Sequence, residues 1–319
     1  MKSLVKSILL ISLTTLTGCK DTVSLNDKQY SNWEVNGISA DSISWTKFKW
    51  VNGNLGSTFY KRIAINIPCK IDGLENVVTF QFDTGADLTG VYENTFSSLY
   101  ANSPQLKSKI KQLNSADKYY ENLILNFKSF SVANKSAYVY KNFGNIVSIS
   151  PNDTINNIGT IASDVFQNSV LLIDYKNERF AICSAIPADY SANLIDISLD
   201  EYDRVILPMK LADKSLKILF DTGSSLFPII TDANKINLFS TSQNVDVIQI
   251  SSWGQLHNVT GKVINDTFML AGQSFSNVKA YASTRNMGTG KNYDGITGNA
   301  LFWDRAIAID FKNKKFGVK

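Results

Sequence analysis

Short apolar runs separated by Gly, Asn, Asp, Ser and Lys dominate this chain, and their spacing predicts strands. The first half gives strands over residues 62–71, 77–82, 123–127, 137–140, 170–175 and 179–183, each with a counterpart in the second half. Asp174 to Arg179 and Asp310 to Lys315 read as hairpin turns between paired apolar runs. Helical spacing is brief, as at residues 93–99, where Phe96 and Leu99 share a face, and around residues 163–166 and 299–302. The pattern is that of an all-β protein in two lobes.

The halves repeat one another in order. Ile67-Pro68-Cys69-Lys70-Ile71 answers Leu207-Pro208-Met209-Lys210-Leu211, and Phe82-Asp83-Thr84-Gly85 answers Phe220-Asp221-Thr222-Gly223. Leu123 to Ser131 answers Phe268 to Ser276, and Gly159 to Ile182 aligns without gaps to Gly295 to Val318. Four collinear blocks mark an internal duplication.

Each Asp-Thr-Gly triplet closes a buried strand, and its Gly permits the sharp turn that sets a carboxylate at a loop tip. Two such tips brought together give facing carboxylates that cannot both ionise cheaply, so the pair holds one proton and can activate water. A pair of carboxylates also serves glycoside hydrolysis, but that chemistry requires neither a Thr-Gly after each Asp nor a duplication. His257 is the only histidine, no Gly-x-Ser-x-Gly accompanies it, and it reads as a surface or loop residue.

The duplicated triplets, each followed downstream by a Gly-containing apolar turn (Gly159-Thr160-Ile161-Ala162 and Asp294-Gly295-Ile296-Thr297-Gly298), resemble the pepsin-like and retropepsin-like aspartic proteases over residues 60–319. The resemblance implies two pseudo-twofold-related β-barrel lobes with an interlobe cleft, and Asp83 and Asp221 as the catalytic pair. Thr84 and Thr222 would lock the two loops together, and Gly85 and Gly223 would turn amides toward the carboxylates. It implies an endopeptidase acting on a peptide or protein substrate, without metal or cofactor. A catalytically inactive peptide-binding lipoprotein of the same fold is the alternative, since fold alone does not grant activity.

Several positions depart from that pattern. Ala86 follows the first triplet and Ser224 the second, so a hydroxyl donor to Asp221 with no counterpart at Asp83 is expected, and with it a dyad that works at less acid pH. Ala162 stands where a Gly is expected. The second lobe gains seven residues between its Asp and Ser-Phe-Ser blocks, so a lid formed partly by that lobe is expected over residues 248–263, with Trp253 and Gly254 as candidate flap or substrate contacts. Tyr119 and Tyr120 of the shorter first-lobe segment are candidate substrate contacts or packed aromatics.

The N-terminus adds a destination. A basic start, an apolar stretch of about a dozen residues and Leu16-Thr17-Gly18-Cys19 read as a secretory signal ending in a sequence that resembles a bacterial lipobox, too short to span a bilayer. Residues 1–18 are expected to be removed and Cys19 lipidated, with residues 19–45 a polar tether, 46–190 the first lobe and 191–319 the second. The expected product is an exported, lipid-anchored bacterial lipoprotein on the periplasmic or extracellular face of a membrane. Lys and Arg number 32 against 28 Asp and Glu, with no basic cluster to suggest nucleic acid, and the body is expected to be monomeric. Cys69 and Cys183 could pair in an oxidising compartment or remain free, and no Cys-x-x-Cys points to zinc.

Overall fold

The computed structural model describes residues 29–38, 42–100, 103–114, 117–150, 153–252, 255–287 and 292–319. The signal segment, Cys19, Trp253 and Gly254 lie outside them.

The chain forms two β lobes joined by a third sheet, as its alternation predicts. Along Thr58–Ile71 the residues Ile63, Ile65, Ile67, Cys69 and Ile71 turn inward, and along Val205–Leu211 the residues Val205, Leu207, Met209 and Leu211 do so. The strands that carry the triplets, Val78–Phe82 and Lys214–Phe220, lie inside their sheets. Each is flanked on one side by the preceding strand, antiparallel, and on the other by Gly159–Ile161 or Gly295–Thr297, parallel. Those short strands pair in turn with Gly90–Tyr92 and Ile229–Asp232, antiparallel. The ladders therefore repeat as the sequence does. One block shifts: Ile71 faces Leu125, while its counterpart Leu211 faces Phe268 instead of Leu270. A two-residue slip keeps every side chain on its face, which is why the sequence pattern hides it.

The joining sheet has six strands among the described residues. At its centre Val170–Asp174 pairs antiparallel with Ala306–Asp310, and Leu172 faces Ala308, its own counterpart in the repeat. The pseudo-twofold axis passes between these two residues. On the outer flanks Thr46 and Lys47 pair with Phe180 and Arg179, and Ile195 and Asp196 pair with Phe316 and Lys315 in the same way.

Two regions differ from expectation. Residues 34–36, placed in the polar tether, form the strand Glu34–Asn36 against Ser131–Tyr140, and Tyr30 is buried beside it. Lys49–Leu55, with its Asn and Gly residues, forms a hairpin with the start of Thr58–Ile71. Its Leu55 and Ile63 join the second lobe's Ile250, Val259 and Phe227 in one apolar cluster. Backbone pairing and contact with the other lobe order segments whose own composition suggests none. Cys69 and Cys183 are buried free thiols, and burial pushes Cys183 up to about 11.

Candidate functional site

Each triplet is fixed first by its backbone. The Asp83 N–H donates to Ile161 O and the Asp221 N–H to Thr297 O, both at 2.9 Å, continuing the parallel ladders to the loop tips. Ala86 N–H then donates back to Asp83 O and Ser224 N–H to Asp221 O, closing a tight turn in each lobe. Beyond these turns the loops grip one another. Thr84 N–H donates to Thr222 Oγ1 at 2.9 Å and Thr222 N–H to Thr84 Oγ1 at 3.0 Å, a reciprocal pair across the axis. All four groups are buried, so losing either hydroxyl would strand an amide.

This grip sets the two carboxylates side by side at the base of the interlobe junction, with Asp83 0% and Asp221 1% exposed. A Cβ on Gly85 would lie 2.3 Å from Asp221 Cγ, and one on Gly223 would lie 2.7 Å from Asp83 Oδ1. Only glycine allows so close an approach. Asp221 Oδ1 accepts from Gly223 N–H at 2.7 Å and Gly85 N–H at 3.2 Å, and Asp83 Oδ1 accepts from Ala86 N–H at 3.1 Å. Burial, then the charge of Asp221 and the hydrogen bond to it, push Asp83 well above the usual carboxylate range. Burial also pushes Asp221 up, against the pull of the bond from Asp83 and the Gly223 and Gly85 amides. The pair therefore shares a proton, and the surrounding donors favour charge on Asp221.

The asymmetry is real but differs from the expected one. Ser224 Oγ is buried and makes no hydrogen bond among the described residues, so it does not donate to Asp221. What distinguishes the lobes is Gln81, whose Nε2 lies 3.4 Å from Asp83 Oδ2, where the second lobe has Leu219. A second distinction is Arg204, where the first lobe has Ala64. Its guanidinium bonds Asp200 Oδ2 at 2.7 Å and crosses to the first lobe, reaching Asp87 Oδ1 at 2.9 Å and Gly85 O at 3.4 Å. Burial opposes that charge, but Asp87 and Asp200 more than restore it, and the cation helps hold Asp221 down. An Arg just ahead of a strand carries no sequence signal of its own. Its pairing with the Asp that follows the first triplet appears only once the lobes meet.

Outer residues complete the frame. Ser163 Oγ donates to Thr84 O at 2.9 Å, and Asn299 Nδ2 donates to Thr222 O at 2.7 Å while Asn299 Oδ1 accepts from Tyr175 OH. These contacts tie the short 3-10 turns Ser163–Phe166 and Asn299–Phe302 to the opposite faces of the two loops. Behind the first, buried Asp164 accepts from Thr89 N–H and Oγ1 and from Trp33 Nε1, and burial pushes it up to about 6. Ala162 is fully buried at its turn, whereas a Cβ at the corresponding Gly298 would lie 1.5 Å from Ser224 O. The first-lobe turn is thus the one that tolerates a methyl group.

The aromatic candidates separate. Tyr120 is 2% exposed and packs edge-on against Phe96 in the first-lobe core, which makes it a packed aromatic and not a substrate contact. Tyr119 is half-buried and pairs with Tyr138 in the same strand ladder. The second-lobe hairpin of Asn244–Ser252 and Gln255–Val263 is much longer than the three-pair ladder of Ile110–Gln112 with Lys118–Asn126. His257 is part of that hairpin, facing Ile250, and is half-buried.

No family model and no curated protein matches this chain. Among solved structures the chain is similar to an aspartic proteinase from Irpex lacteus, at 11% identity over 87% of this chain and 97% of that one, with a TM-score of 0.45.

Proposed function

We propose that this protein is an aspartic endopeptidase in which Asp83 and Asp221 activate a water. The observation that carries the reading is the reciprocal Thr84–Thr222 bonding that seats two buried carboxylates against each other, each fed by backbone amides. In the singly protonated pair, the charged carboxylate takes a proton from a bound water. The protonated one donates to the carbonyl oxygen of the scissile peptide, and a tetrahedral intermediate forms without a covalent enzyme species. Donors that favour charge on Asp221 assign it the base and Asp83 the acid for the first step. Collapse of the intermediate returns a proton to the leaving amine.

The apolar contact between the first-lobe hairpin at Leu55 and the second-lobe hairpin at Ile250 and Val259 supports a lid shared by both lobes. On the same reading the enzyme acts outside the cytoplasm as a monomer, lobes at residues 46–190 and 191–319, held to a membrane by a lipid on Cys19. Residues 19–28 and 37–45 then remain as tether and connection around the strand Glu34–Asn36.

The deciding experiment is cleavage of a diverse peptide library from about pH 3 to 8, with and without a statine-type transition-state inhibitor. Asp83→Asn and Asp221→Asn should each abolish cleavage and leave the circular dichroism spectrum unchanged. A folded wild-type protein that cleaves nothing across that range would give the peptide-binding reading the field. Loss of metabolic fatty-acid labelling in Cys19→Ala tests the anchor separately.

A further inference from the structure

Arg62 sits at the junction of the lobes in a setting its neighbours do not explain. Its backbone is in the left-handed region, φ 59°, where Gly or Asn is the usual occupant, and its N–H is held by Asn52 Oδ1 at 2.9 Å. Its guanidinium lies over two indoles, Trp50 of the same lobe at 5.6 Å and Trp303 of the other at 5.5 Å. Among the described residues it makes no ion pair and no side-chain hydrogen bond. Arg204, another arginine at the junction, is by contrast satisfied by two carboxylates.

The flanking indoles are also unsatisfied. Trp50 Nε1 and Trp303 Nε1 are both buried donors without an acceptor among the described residues. Buried indole N–H groups normally find one, and a half-buried guanidinium still has nitrogens open to a partner from solvent. Two unmet indole donors therefore flank one half-buried cation that no carboxylate among the described residues pairs.

We infer that Arg62, Trp50 and Trp303 form a binding site for a carboxylate. The guanidinium is only half-buried, so its planar fork can take both oxygens of a carboxylate, a match that an ammonium cannot offer. A single negative charge balances the single positive one, whereas a phosphate dianion would leave charge uncompensated in a half-buried place. The site is linked to the dyad loops at one remove: Trp50 stacks on Tyr175 at 6.1 Å, and Tyr175 OH donates to Asn299, which in turn donates to Thr222 O. Binding there requires no proteolysis, so the inference does not depend on the proposed activity.

The test uses the full chain and acetate as the probe, raised to about 100 mM at ionic strength held constant with sodium chloride. Wild-type protein should show a saturable change in tryptophan fluorescence and a melting temperature that rises with acetate. Both should vanish in Arg62→Met, which keeps the apolar stem between the rings, and weaken in Arg62→Lys and Trp303→Phe. No response beyond that to chloride, an undiminished response in Arg62→Met, or a stronger saturable response to inorganic phosphate would overturn the assignment.

Discussion

Replacing Arg204 with Met should show how strongly the two lobes are held beside the dyad. The side chains of Arg204 and Asp200 are 8% and 2% exposed, and that of Asp87 is 26% exposed. Removing the guanidinium leaves the Asp200 carboxylate buried with the Tyr202 and Arg204 amides, each at 3.0 Å, as its remaining donors. Stripping one partner from a buried pair costs about 3–5 kcal/mol, since the surviving charge stays desolvated. The more exposed Asp87 adds little. Urea unfolding of the full chain at pH 7, followed by far-ultraviolet circular dichroism and tryptophan fluorescence, should show that loss as a lower midpoint. Adding Asp200→Asn should recover most of it by removing the orphaned charge. On the proposed activity the variant should also move the pH profile upward, because Asp221 loses a cation that favours its charged form. A loss under about 1 kcal/mol, or no recovery in the double variant, would refute the reasoning.

Three further outcomes are expected. Gly85→Ala places a Cβ 2.3 Å from Asp221 Cγ, so it should lower kcat/KM by about a hundredfold or more through displacement of the carboxylate; near-normal turnover would contradict the close approach. Because both dyad carboxylates are raised on folding, their contribution to stability is full below the unfolded value of about 4 and is lost as pH rises through the folded values. Asp83→Asn should therefore melt higher than wild type at pH 7.5, with a smaller difference near pH 5; a difference independent of pH would count against the raised values. Trp33→Phe removes a donor from charged Asp164, and should destabilise by about 1–3 kcal/mol at pH 7 and less at pH 5, where Asp164 is protonated; equal losses at both would assign the effect to packing alone.

The sequence made the two carboxylates readable because each lies at the end of an apolar run, and the duplication placed both runs at corresponding points of a fold. Hairpin turns at Asp174–Arg179 and its counterpart were equally plain, since Asp174 and Asp310 fix Asn177 and Asn313 by local bonds. Contacts between distant segments were not readable. Gln81 looks like one polar residue in a strand until the fold lays its amide against Asp83. Ser224 offers the opposite case: a hydroxyl next to the triplet suggests a donor, but the backbone amides of Gly223 and Gly85 already occupy Asp221 Oδ1. The strand Glu34–Asn36 was hidden because its order comes from a partner almost a hundred residues downstream.

The facing of Leu172 with Ala308 at the centre of the joining sheet bears on how the lobes can diverge. In an assembly of two identical chains, every substitution is made twice, once on each side of the axis. A residue that helps one side and harms the other must then be accepted at both. With both halves in one chain, Gln81 can oppose Leu219, and Arg204 can stand where the first half has Ala64, without a mirrored consequence. The covalent link frees each member of a symmetric pair to specialise, and here that freedom is used within the shell around the two carboxylates.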